Sequence, residues 1–250
     1  MITVAPRNFV VKMPAEYTEW MAAFNWIANL DFVGLAVPPR CLGSYEDGLL
    51  VRGVLPLCVL ALLAAAFLLH AIVRRRSLRG ELLAALPLAL WIIYLSVPSI
   101  SAALFNAFPC ASYGYDDATG ESRRYLRADL SLYCGPSSEP TSEYETLVNL
   151  AIVLLVIWPL GAPLLFTAVQ HQNRAAITER VPTDLSRAAA FLWRDYKPEY
   201  WWWESAELLR KLTLTGFVLL VPQDRDMLRL IVGQLIAVAS LALYIRCRPF

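Results

Sequence analysis

The sequence predicts an all-α, polytopic transmembrane helical bundle with about five spans and a short interfacial helix. Three observations carry that expectation: several separate apolar runs of membrane length, a low share of charged residues, and clusters of arginine directly after the runs. Of the 250 residues, 58% are hydrophobic and 17% charged, and the mean hydropathy is +0.48. Soluble domains sit nearer half apolar and a quarter charged. A soluble core of this size would not need its apolar residues gathered into runs of about 20.

The predicted spans are roughly Leu49 to Val73, Leu82 to Phe108, Leu147 to Val169, Trp201 to Val221 and Leu228 to Ile245. A hydrocarbon core of ~30 Å needs about 20 helical residues, which each run supplies or nearly supplies. The first, second, third and fifth are almost free of ionisable groups in mid-run. The fourth is not. Residues 1–48 then form an N-terminal segment, residues 109–146 a loop on the same side, and residues 170–200 a connection on the other.

Basic residues mark the cytoplasmic side. Arg74, Arg75, Arg76 and Arg79 follow the first span, Arg174, Arg180, Arg187, Arg194 and Lys197 lie between the third and fourth, and Arg246 and Arg248 follow the fifth. Placing these inside puts the N-terminal segment and the 109–146 loop outside, as expected of a plasma-membrane protein. The loop carries Arg123, Arg124 and Arg127 as well, balanced by Asp116, Asp117, Glu121 and Asp129. Two of the five cysteines, Cys110 and Cys134, fall in this loop, where an oxidising compartment permits a disulfide. The bridge would close about 25 residues and stabilise them by roughly 3 kcal/mol; the alternative is two free thiols. Cys41 is the odd cysteine outside. Residues 1–48 lack the pattern of a signal peptide, so either the first span is a reverse anchor or the chain is part of a longer protein; the stop shortly after the fifth span favours the latter.

Two spans contain helix-disturbing residues. Pro98 stands among Ser96, Ser99 and Ser101 in the second, which predicts a kink whose freed carbonyls the hydroxyls could satisfy. The third contains WPLGAPLL, with Pro159, Gly161 and Pro163. Close helix packing and a functional hinge both account for such a motif. In the 170–200 connection, Thr183 is a candidate cap, and Leu185, Ala188, Ala189 and Leu192 recur at helical spacing. A short amphipathic helix at the interface and a solvated connector are the two alternatives.

The fourth span holds the candidate site. Glu204, Glu207, Arg210 and Lys211 fall within its inner half, with Trp201, Trp202 and Trp203 below them as an interface anchor. A charge at mid-membrane costs at least ~2.5–3.5 kcal/mol, so these groups should avoid lipid. Glu204, Lys211 and Thr215 share a face, with Glu207 beside them. Glu207 can pair with Lys211 at i,i+4 or with Arg210 at i,i+3. The stripe is either a self-neutralising structural feature or the lining of an ion pathway.

The string YWWWESAELLRKLTLTG resembles a segment of the multi-span C-terminal region of surface proteins of algae, oomycetes and other protists, regions often described as similar to the transient receptor potential channel-like proteins of fungi. SAALFNAFPC, YLRADLSLYC, WPLGAPLLF, FLWRDYKPEYWWWE and LYIRCRPF occur in the matching order. The resemblance covers most of residues 49–250. It implies a helical bundle behind a large ectodomain, further spans after Phe250, and a cation channel or channel-associated sensor. The alternative is a non-conducting membrane anchor for a cell-surface ectodomain.

Other classes have no support in the residues. There is no nucleophile–base set, phosphate loop or metal-ligand spacing, so neither enzyme nor cofactor is expected and no metal site is assigned. A net charge of +1 gives no reason to expect nucleic acid. The partner implied is the lipid bilayer; a homo-oligomer is compatible with the sequence, and no small-molecule ligand is indicated.

Overall fold

A computed structural model describes residues 43–114, 122–136, 140–216 and 226–250. The first helix, α1 (Tyr45–Arg74), starts four residues before the apolar run because Ser44 caps it. The Asp47 amide donates to Ser44 Oγ at 3.2 Å, and the Ser44 amide to Asp47 Oδ2 at 3.2 Å, a reciprocal capping box. It ends at Arg75, whose φ of 49° turns the chain in the left-handed conformation usual at helix C-termini. Ser77 then caps α2 (Leu78–Phe105), which lies antiparallel to α1 and runs through Pro87 and Pro98 as one helix. Ser101 Oγ is fully buried without a hydrogen-bond partner among the described residues, so this hydroxyl does not repair the proline as expected.

Between α2 and the next helix the structure adds an element the sequence did not suggest. Strands β1 (Cys110–Gly114) and β2 (Ser122–Leu126) form an antiparallel hairpin with Cys110 opposite Leu126. The disulfide is present: Cys110 and Cys134 are joined, with their Cα atoms 6.6 Å apart. The fold is otherwise all-α.

Helices α3 (Ser142–Leu155) and α4 (Gly161–Thr178) are one continuous rod, joined by a π-turn at Val156–Leu160. Pro159 sits in that turn. Its ring removes one N–H and crowds the preceding carbonyl, and the wider turn accommodates both without ending the helix. Directly before the proline, Trp158 Nε1 donates to the Gly53 carbonyl of α1 at 3.0 Å. Gly53 allows a close approach of α1 and α3, since a Cβ there would lie 2.6 Å from Leu154 Cδ1.

The connection after α4 contains the short helix α5 (Asp184–Ala188), capped by Thr183 as expected, and a 3-10 turn at Ala190–Leu192. It is shorter than the spacing suggested, and its apolar side plugs the bundle. Leu192 is fully buried, and Phe191 stacks 4.5 Å from Trp91 of α2. Helix α6 (Trp203–Thr215) and helix α7 (Asp226–Cys247) complete the described chain.

Among the described residues four helices are long and apolar enough to cross a membrane: Tyr45–Arg74, Leu78–Phe105, Ser142–Thr178 and Met227–Cys247. Their outer faces carry Leu62, Leu69, Ile72, Leu164, Leu235, Val238 and Ile245, all exposed. An apolar surface this continuous on several long helices is a lipid-facing surface. The chain is an integral membrane protein. The fourth predicted span begins as α6, and its last residues, 217–221, lie outside the described ones, as do Cys41 and most of residues 1–48.

The core runs between α2, α3, α4 and α6 and includes Leu90, Leu104, Leu154, Phe166, Leu208 and Leu212. Tyr45 Oη donates to the Ala103 carbonyl at 2.9 Å and Tyr144 Oη to the Phe108 carbonyl at 2.9 Å, tying the hairpin ends of three helices together.

Candidate functional site: a self-paired polar stripe

Helix α6 carries Glu204, Glu207, Arg210 and Lys211 along its length, and the fold gives each of them a partner. Glu204, at the first turn, is buried and accepts a 2.5 Å hydrogen bond from Tyr196 Oη. Tyr196 is delivered by the connection that the 3-10 turn holds against α2 and α4. Burial first, and the hydrogen bond and charge of Glu204 second, push the Tyr196 phenol well above its ordinary value, so it stays protonated and donates.

One residue on, Ser205 Oγ donates to Gln170 Oε1 at 2.5 Å, and Gln170 Nε2 donates to the Leu192 carbonyl at 3.0 Å. Gln170 is almost wholly buried, so its amide joins α4, α6 and the connecting plug in one chain of hydrogen bonds.

Glu207 takes Arg210, not Lys211. Arg210 Nε donates to Glu207 Oε2 at 2.8 Å, and a second, shorter bond runs from Nη2 to Oε1. This fork satisfies both carboxylate oxygens, which a lysine cannot do. Lys211 turns instead to α2, where Nζ donates to Tyr94 Oη at 2.8 Å. The ammonium is 5.1 Å from the centroid of the same ring. At 2.8 Å from the hydroxyl it sits toward the ring's edge, so the oxygen and not the π-face is its partner. Thr215, expected on the same face, donates back to the Lys211 carbonyl of its own helix at 2.8 Å.

The tryptophans divide. Trp203 is buried, with its ring 6.3 Å from Tyr244 of α7, while Trp201 and Trp202 are half-buried at the end of the bundle. Of the proline motif, Pro159 is buried in the π-turn, Gly161 and Pro163 lie in the first turn of α4, and Pro98 lies within α2.

The end of α7 is fastened to the same connection. The Lys197 amide donates to the Pro249 carbonyl at 2.7 Å, Lys197 Nζ donates to the Arg248 carbonyl, and Phe250 lies 5.2 Å from the Tyr196 ring. Two of the basic segments used to assign an inside face therefore meet at one end of the bundle. The hairpin, at the start of α3, is at the other.

Sequence reasoning located the charges and offered Arg210 as one of two partners for Glu207, but gave none for Glu204 or Lys211 outside the helix. Gln170 and Asn173, two amides directly after the third apolar run and still on its helix, were the available signal: a buried amide there needs a hydrogen-bond partner inside the bundle. Tyr94 and Tyr196 gave none, because tyrosine is ordinary both in cores and at interfaces.

No protein-family model matches the chain, and no solved structure matches it. It is similar to the cysteine repeat modular protein A of Toxoplasma gondii, 23% identical over 168 residues. The match covers 66% of this chain and 5% of that protein, so the chain spans a small part of its relative's length.

Proposed function

We propose that the chain is the membrane-embedded anchor of a cell-surface protein, non-conducting, with the hairpin end outside the plasma membrane. The self-paired stripe carries this reading. Glu207 is neutralised by Arg210 within one turn, and Glu204 and Lys211 are each bound to a tyrosine of the bundle. Charges so engaged stabilise packing and present no row of free carboxylates to a permeating cation. The disulfide-closed hairpin suits an oxidising exterior, and the opposite end gathers Arg74, Arg75, Arg76, Arg194 and Arg248 as an inside face requires. The similarity to a modular protein many times longer fits a bundle that carries other modules.

A transient receptor potential-like cation channel or channel-associated sensor is the second reading. The π-turn at Pro159, a feature common at functional sites, favours it.

The anchor reading is tested by display. With an epitope at the N-terminus of the full-length protein, intact cells should stain. Leu154→Asp, which places a carboxylate in the core between α1 and α3, should abolish that staining. Staining only after permeabilisation would overturn the orientation, and normal display of the Asp variant would overturn the dependence on the bundle.

A further inference from the structure

The tight turn between α1 and α2 concentrates positive charge more densely than orientation in the membrane requires. Arg74 closes α1, Arg75 and Arg76 form the turn with Ser77, and Arg79 lies in the first turn of α2. All four are exposed. The carboxylate in reach is Glu81, which is buried and already engaged. Its Oε2 lies 3.1 Å from His70 Nδ1, and Oε1 is 4.0 Å from Arg76. Among the described residues Arg74, Arg75 and Arg79 have no carboxylate partner, in contrast to Arg187 and Arg194 at the same end, which pair with Asp184 and Asp195.

Arg74, in the last turn of α1, and Arg75, its C-cap, are placed where a helix favours a cation. Arg79 sits in the first turn of α2, where the helix field is positive and an acidic residue is preferred. Arg75 holds a φ of 49°, a conformation that costs an arginine and suits glycine. Arg75 and Arg79 are thus held against a local preference, of backbone and of helix field respectively, in the same short turn as Arg74 and Arg76, at the end of two membrane-length helices. An anion among them removes the repulsion, and guanidinium forks match phosphate oxygens. Because both flanking helices present apolar faces to lipid, the phosphate within reach is that of a lipid headgroup.

We propose that the Arg74–Arg79 turn binds the phosphate of an anionic phospholipid. The lipid's acyl chains lie along the exposed leucines and valines of the last turns of α1, with Ile72 and Val73 nearest.

The test uses the full chain in mixed micelles of phosphatidylcholine and phosphatidylglycerol, with bound lipid counted by native mass spectrometry. The wild type should retain phosphatidylglycerol in clear preference. Arg79→Gln should lower that retention about fivefold, the worth of one basic residue at an anionic surface. Arg75→Gly separates binding from folding: glycine fits the left-handed turn, so melting should be unchanged or raised while retention falls by the same factor. Arg187→Gln, at a paired surface arginine, should leave retention as it was. Equal retention of the two lipids by the wild type, or full retention by both Arg75→Gly and Arg79→Gln, would overturn the proposal. Displacement of the lipid by inorganic phosphate would overturn it too, since the site would then serve a free ion.

Discussion

Tyr94→Phe is expected to destabilise the bundle by about 2–3 kcal/mol, although it removes a single oxygen. That oxygen is the acceptor for Lys211 Nζ at 2.8 Å, in a part of the bundle where water cannot easily replace it. A neutral tyrosine pair would lose less; a half-buried ammonium left without its partner loses more. The retained phenyl ring compensates little, because the ammonium lies toward its edge. Tyr94→Leu should cost about 3–5 kcal/mol, since it also empties the space between Phe166 and Phe191, whose rings lie 6.5 and 5.2 Å away. The decisive arm is the double variant. Lys211→Met in the Tyr94→Phe background removes the stranded charge and should recover most of the loss, measured as the melting temperature in detergent. Losses that simply add would show that the two groups do not act as a pair.

Cys110→Ser with Cys134→Ser should cost about 3 kcal/mol, the chain-entropy value for a loop of this length. Its effect is expected to be local at first. Cys134 and Leu126 are buried at the head of the core, and the Cys134 amide donates to the Arg124 carbonyl at 2.9 Å. Opening the bridge therefore frees the hairpin from the helix ends that Tyr45 and Tyr144 hold. Hydrogen exchange over residues 110–134 should rise on reduction, while the centres of α2 and α3 keep their protection. Uniform loss of protection would mean that the hairpin and the bundle unfold as one unit.

The first, second, third and fifth spans were legible as membrane-length helices because length is a one-dimensional property: a run such as Leu57 to Val73 needs no partner to be recognised. Helix starts were legible in principle from their caps. Ser44 with Asp47, and Thr183 with Ser186, are reciprocal side-chain pairs that shift a helix start away from the apolar boundary. The hairpin was hidden because its strands carry charged and small residues without clear alternation, and its pairing is organised by a disulfide across the loop. In the stripe, local spacing gave Glu207 two candidate bases, and only the position of Tyr94 on α2 decides between them. Lys211 reaches Tyr94 across the bundle, and Glu207 is left to Arg210. The plug was half legible: the cap and the apolar spacing were visible, but not that Leu192 would point into the bundle.

The measurement that bears most directly on the central claim is current through the full-length protein in planar bilayers. Insertion is verified first, by labelling of Cys110 and Cys134 from the hairpin side after reduction. If the charged stripe is a self-neutralised packing element of an anchor, the inserted protein should conduct no more than a protein-free bilayer, and Glu207→Gln or Lys211→Met should lower its melting temperature without producing current. Cation-selective current from the wild type, altered by either substitution, would contradict the account and make the same stripe part of a conduction pathway.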